Sequence, residues 1–267
     1  HVLVAAASVG MLYPLLWMLG SSFKPNNEIF TSVERLIPKT FTLENYVNGW
    51  RGFAGLSFAV FFKNSFFVAI IASLGATLSS AVVAFGLARL RFPGRKVWFI
   101  AMSVTMMLPG PVMMIPRFVL FNKFGWVGTY LPLTVPCFFG GAFDIFLIMQ
   151  FIRGVPRDMD EAATIDGCSW YGVFSRITLP MIVPAIVTVG ILTFINSWGD
   201  FMGSLLYLNA PRKYTVAYAL KLFTDSAGTD YGATFAMSVL SLIPILVIFF
   251  FFQKQLVEGI SIQGLKG

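Results

Sequence analysis

The sequence predicts an all-α integral membrane protein with six transmembrane helices, and three observations predict it. The chain of 267 residues is 57% apolar and only 12% charged, with a mean hydropathy of +0.79. Soluble domains carry roughly 25% charged residues, so this chain lacks the polar side chains that would cover a globule. Its Asp, Glu, Lys and Arg are absent from the windows 1–23, 64–88, 97–116, 124–143, 177–199 and 231–253, and every other charge-free run is 11 residues or shorter. About 20 apolar residues in a helix cross a hydrocarbon core about 30 Å thick. Finally, runs such as Phe66–Ala72 are apolar on all sides instead of alternating, which excludes the roughly 10-residue strands of a barrel. An ordinary soluble enzyme is excluded. One histidine and two distant cysteines, Cys137 and Cys168, also exclude a zinc site or a disulfide scaffold.

The elements follow in order. The first span, 1–23, is too long and too aromatic toward its end (Tyr13, Trp17, Phe23) for a signal-peptide core, so it is expected to be retained, with further residues upstream of His1. Residues 24–63 form the longest polar stretch, with turns marked by Pro25, Asn26-Asn27, Pro38 and Thr40–Asn45. The second span is expected at 64–88, the third at 97–116, the fourth at 128–152, the fifth at 178–205 and the sixth at 231–253. Met102, Met106, Met107, Met113 and Met114 make the third a soft, adaptable packing element. Alternation puts nine cations on one side (Arg89, Arg91, Arg95, Lys96, Arg153, Arg157, Arg176, Lys254, Lys266) and ten on the other, a near tie. Only the density of the cluster 89–96 directly beside a span favours that side as cytoplasmic. The net charge of +7 suits contact with anionic lipid head groups, and no basic–aromatic pattern suggests nucleic acid.

The loop 153–180, RGVPRDMDEAATIDGCSWYGVFSRITLP, is organised by local physics. Pro156 stops what precedes it, and Asp158 with Glu161 has the spacing of an N-terminal capping box. Met159, Ala162, Ala163 and Ile165 supply an apolar side, Gly167 is placed to end the helix in a left-handed turn, and a second short helix is expected from Ser169 to Arg176. Two short helices meeting at a glycine make a knuckle that stands out from the membrane.

Glu161-Ala162-Ala163, then Gly167, then Ile177-x-Leu179-Pro180 after nine residues, resembles the EAA loop of the permease subunits of ABC importers at every consensus position. The whole chain is similar to the maltose-type carbohydrate permeases. Supporting marks are Asn64-Ser65, Arg91-Phe92-Pro93-Gly94, Leu108-Pro109, Asn196–Phe201 and the tail Val257–Gly267. The resemblance implies the type I permease fold with a cytoplasmic EAA coupling loop, in a bacterial or archaeal inner membrane, with the C-terminal tail 254–267 also inside. It implies that Asp158, Glu161, Ala162, Ala163, Asp166, Gly167, Ile177, Leu179 and Pro180 couple to an ATPase, and that Gly264, Lys266 and Gly267 of the tail touch it. The implied partners are a second homologous permease, a dimer of ATPase subunits, an extracytoplasmic solute-binding protein, a sugar substrate and membrane lipid.

The chain has no Gly-x-x-x-x-Gly-Lys-Ser/Thr loop to cradle phosphates, so ATP and Mg are expected in the partner ATPase and no cofactor in this chain. No catalytic residue is assigned. Asp144 and Asp200 lie in or near the membrane, where carboxylates ordinarily face a cavity or a partner. Asn196, Trp198, Asp200 and Phe201 combine polar and aromatic groups suited to sugar, with Asn196 and Asp200 expected on one helix face, and are candidates for the substrate path. Two rivals from other classes are an ion-gradient-driven secondary transporter, which would need more coordinating groups within the spans, and a non-transporting membrane scaffold.

Overall fold

The computed structural model describes residues 2–227 and 230–261. Apart from one isolated bridge, Phe53 with Leu56, the described residues contain helices, turns and no strand. In chain order the helices are α1 (Val2–Ser21), α2 (Asn26–Ile29), α3 (Glu44–Arg51), α4 (Phe58–Arg89), α5 (Arg95–Met106), α6 (Gly110–Lys123) and α7 (Leu131–Thr134). They continue with α8 (Ala142–Gly154), α9 (Arg157–Ile165), α10 (Trp170–Gly172), α11 (Leu179–Met181), α12 (Val183–Trp198), α13 (Phe201–Tyr207), α14 (Val216–Ala227) and α15 (Tyr231–Ser261).

Helix α4, the stretch Leu131–Gly154 and the part of α15 from Tyr231 to Gln255 are each long and apolar enough to cross a membrane. Helix α1 occupies the first charge-free window. The windows 97–116 and 177–199 are not straight rods. Helices α5 and α6 meet at 105°, and the segment Trp170–Met181 meets α12 at 74°. Proline explains both bends: Pro109 precedes α6 in extended conformation, and Pro180 and Pro184 withhold backbone donors on either side of Ile182. The sixth span also runs on, because α15 stays helical to Ser261.

The chain divides into two compact units. One comprises residues 1–65, 200–205 and 209–247. Its polar segment is a built cap. Lys24 is fully buried and donates from Nζ to the carbonyls of Ser32 (3.0 Å) and Arg35 (2.6 Å). Asn45 donates to the carbonyls of Ser22 and Lys24, both at 2.8 Å. The Glu28 carboxylate accepts from the amides of Lys39 (2.7 Å) and Thr40 (3.2 Å), and the first of these holds its pKa below the ordinary value of 4.5. Asn64 donates to the carbonyls of Arg212 and Tyr214 (2.9 Å each), and Ser65 Oγ accepts from the Val216 amide at 2.8 Å.

The other unit comprises residues 66–199, 206–208 and 248–267. Its core is a stripe of small residues against a stripe of large ones. Ala81, Ala84 and Ala88 of α4 repeat at helical spacing and are buried with Ile145, Ile148, Met149 and Ile152 of α8. In lipid the solvent is as apolar as leucine, so close packing, not hydrophobic exclusion, holds helices together. Alanine permits that approach. The same buried cluster takes in Ala163 of α9, Val173, and Ile182, Ala185 and Val189 around the start of α12.

Candidate functional site: the loop between the fourth and fifth spans

Helix α9 starts two residues earlier than a capping box at Asp158 would have it, at Arg157. Its N-cap is Pro156, in extended conformation with no side-chain cap, and Asp158 and Asp160 occupy the first turn, where a carboxylate suits the helix dipole. Asp158 therefore lies inside the helix and does not cap it. Proline at 156 has already fixed the extended backbone that a capping residue would need, which displaces Asp158 from that role.

The C-terminal end behaves as its glycine requires. Gly167 sits at φ +83°, its amide donates to the Thr164 carbonyl at 3.1 Å, and the Cys168 amide donates to the Ala163 carbonyl at 2.9 Å. These are the two bonds of a Schellman motif, which satisfies carbonyls left open at the helix end. The chain then re-enters helix at Ser169, whose Oγ accepts from the Gly172 amide at 3.3 Å. Residues Val173–Thr178 widen into a π-helix leading to α11.

The two faces of α9 differ in kind. Asp158, Glu161, Ala162, Asp166 and Gly167 are exposed, and an added Cβ on Gly167 would meet nothing within 4 Å. Beside them Ile165 is 86% and Tyr171 79% exposed on a segment outside the apolar spans. The inner face holds Ala163 and Asp160, both buried. Ile177 and Leu179 are half-buried, with Ile177 packed on the core cluster, and Pro180 is exposed.

Asp160 is the residue that sequence reasoning missed. Its Oδ2 lies 2.9 Å from Arg89 Nε, with both side chains almost wholly buried, and Arg89 Nη2 donates to the Val155 carbonyl at 2.7 Å. The pair ties the last turn of α4 to the first turn of α9. The sequence did carry a signal: Asp160 is three residues before Ala163 and so shares its inward face, where a carboxylate needs a cation. Glu161, by contrast, has no ion-pair partner among the described residues and faces a cavity of about 750 Å³ lined also by Arg91, Arg157 and Trp170.

The four candidates for the substrate path separate. Helix α12 ends at Trp198 with Gly199 as its C-cap, so Asn196 and Asp200 share no helix face. Asn196 is exposed on α12. Trp198 is 3% exposed, with ring contacts to Phe66 at 4.8 Å and Phe194 at 5.7 Å. In the other unit, Asp200 accepts from the Gly203 amide at 2.8 Å and so caps α13, and Phe201 meets Tyr218 edge-on at 5.7 Å. Asp144 is half-buried in the first turn of α8. The tail residues Gly264, Lys266 and Gly267 lie outside the described residues. Among the described residues no cluster of His, Cys, Asp or Glu could hold a metal ion.

Known proteins share this architecture. The family described as the binding-protein-dependent transport system inner membrane component matches residues 80–262. The arabinooligosaccharides transport system permease protein AraQ of Halalkalibacterium halodurans is 32% identical over 96% of this chain and 91% of its own length. The trehalose/maltose transport system permease protein MalG of Thermococcus litoralis is 32% identical over 96% of this chain and 92% of its own. A chain in the crystal structure of a bacterial ABC transporter that imports the acidic polysaccharide alginate shares the fold, with a TM-score of 0.84 at 21% identity, covering 95% of this chain and 93% of that one. With a family match over most of the chain and relatives aligned nearly end to end, this chain belongs to the binding-protein-dependent transport system inner membrane components.

Proposed function

We propose that this chain is a non-catalytic permease subunit of an ATP-driven, binding-protein-dependent importer that moves a sugar or oligosaccharide across a bacterial or archaeal plasma membrane by alternating access. The observation that carries the coupling role is the two-faced knuckle: Asp158, Glu161, Ala162, Asp166 and Gly167 point outward, while Asp160 and Ala163 are fixed into the core formed by α4 and α8. A surface that docks outside and is held rigidly inside can pass displacement to the spans. In this reading the knuckle and the C-terminus are cytoplasmic, and α9 seats in a cleft of an ATPase subunit that holds ATP and Mg. Small Ala162 and bare Gly167 allow close approach. Glu161 adds an exposed carboxylate, whose ion pair would contribute only about 0–1 kcal/mol, so shape carries the docking.

Sugar as cargo is supported by relatives named for arabinooligosaccharides and for trehalose and maltose. The binding-protein partner is supported by the family's description and by a neighbouring structure solved with a pentasaccharide-bound periplasmic protein. A second, similar permease completes the path, with Asn196 as the polar candidate on its wall and the segment 24–63 facing the binding protein. The test is sugar uptake into proteoliposomes holding the whole complex. Uptake is expected only with ATP on the knuckle's side and to be indifferent to a protonophore. Uptake that needs an ion gradient, or none at all, would overturn the proposal.

A further inference from the structure

Beside the knuckle lies a cavity of about 850 Å³ at the junction of α4, α5 and α8. Four of its lining residues are cations, Arg91, Arg95, Lys96 and Arg153, and none is a carboxylate. Among the described residues, none of the four has a carboxylate within ion-pair distance. Arg95 is held in place by contacts from its guanidinium to the carbonyls of Leu90 (3.4 Å) and Ala88 (3.5 Å), and Arg153 lies over the Phe99 ring at 5.8 Å. So much unpaired positive charge in one recess is repulsive, and an anion relieves it.

The cationic recess continues into an apolar one. Leu87 and Phe92 line both this cavity and a second, of about 560 Å³, whose walls include Val83, Gly86, Ala101, Met102, Thr105 and Ile145. Arg91, Arg95 and Lys96 lie between the charge-free windows 64–88 and 97–116 and Arg153 follows the span ending at 152, positions that suit lipid head groups, and the apolar trough runs back along the two windows. Trp98, 66% exposed on the trough, is a side chain typical of that interface. An occupant must therefore be anionic at one end and apolar along its length.

We infer that this groove binds an anionic glycerophospholipid, its phosphodiester among Arg91, Arg95, Lys96 and Arg153 and an acyl chain in the trough between α4 and α5. Basic pockets between spans are the physical setting for such recognition. The site adjoins the cavity that Glu161 faces, with Arg91 and Phe92 lining both, but its occupancy requires only a bilayer and holds whether or not an ATPase docks.

The test is native mass spectrometry of the whole purified complex, delipidated and titrated with phosphatidylglycerol or phosphatidylcholine. Preferential retention of phosphatidylglycerol is expected, weakened about fivefold by each of Arg91→Gln and Lys96→Gln, while retention of phosphatidylcholine is unchanged. Both side chains are exposed and make no hydrogen bond or ion pair among the described residues, so the variants keep the fold. Ala101→Trp, which fills the trough and leaves the cations intact, is expected to lower retention as well. Soluble glycerol phosphate is expected not to displace the lipid. A photo-crosslinker at Thr105 in the otherwise unaltered protein is expected to capture lipid. Equal retention of the two lipids, displacement by glycerol phosphate, or capture of the second permease at Thr105 would each overturn the inference.

Discussion

At the scale of single residues, the buried Arg89–Asp160 pair makes the clearest demand. An ion pair taken out of water gains little over an apolar pair of the same shape, but removing one partner strands the other charge at a cost of about 3–5 kcal/mol. Asp160→Asn is therefore expected to lower the stability of the detergent-solubilised complex by about 3 kcal/mol, read as a fall in its thermal midpoint, and Asp160→Asn with Arg89→Met to recover most of it. A double variant as unstable as the single one would show that the pair does not act as a unit. Glu28 sits in a wetter environment: it is only half-buried, and its pKa is lowered chiefly by the Lys39 amide. A lowered folded-state pKa means that the stabilisation is present above the ordinary value of 4.5 and is lost as the pH falls through the folded-state value. Protease resistance of segment 24–57 is expected to drop in acid in the unaltered protein. Glu28→Gln should be more sensitive at neutral pH, with the two converging at low pH.

At the scale of elements, α9 is a helix whose outer surface is exposed and whose end is fixed by Gly167. Gly167→Ala forces a Cβ into a left-handed conformation at about 1 kcal/mol, although the space around it is open. Ala162→Trp strains nothing, because position 162 is exposed, but in the proposed docking it places a large ring where the partner's cleft closes. Sugar-stimulated ATP hydrolysis is expected to fall about tenfold for Ala162→Trp, equivalent to about 1.4 kcal/mol of docking energy, with thermal stability unchanged. Unchanged hydrolysis would remove α9 from the coupling path. This element was largely legible in the sequence: Pro156, Gly167 and Ser169 are local signals, and local signals place helix ends. Among the described residues three of the six expected spans, or five if each bent pair counts as one, were legible because a bilayer excludes charge, and that exclusion is written into the chain as windows. What the sequence hid was tertiary. Lys24 counts as an outer cation by position, yet it is wholly buried on two carbonyls. Trp198 reads as a sugar platform and is instead packed against phenylalanines. The bends had prolines to announce them, but charge-free length alone does not distinguish a straight span from a folded one.

At the scale of the whole molecule, the 105° bend between α5 and α6 decides which side every later segment faces. Between the polar cap at 24–57 and the knuckle at α9 lie α4, the bent pair, and the span Leu131–Gly154. If the bent pair crosses the membrane once, the cap and the knuckle are on opposite sides; if it turns back, they share a side. Only the first arrangement lets a binding protein and an ATPase act on the same chain from the two faces. In a background with Cys137 and Cys168 replaced by serine, Lys39→Cys and Asp166→Cys provide exposed thiols in the cap and the knuckle. A membrane-impermeant thiol reagent is expected to label position 39 in right-side-out vesicles only and position 166 in inverted vesicles only. Labelling of both from one side would make α5 and α6 a re-entrant hairpin, and coupling through α9 to a motor opposite the binding protein would then fail on topology alone.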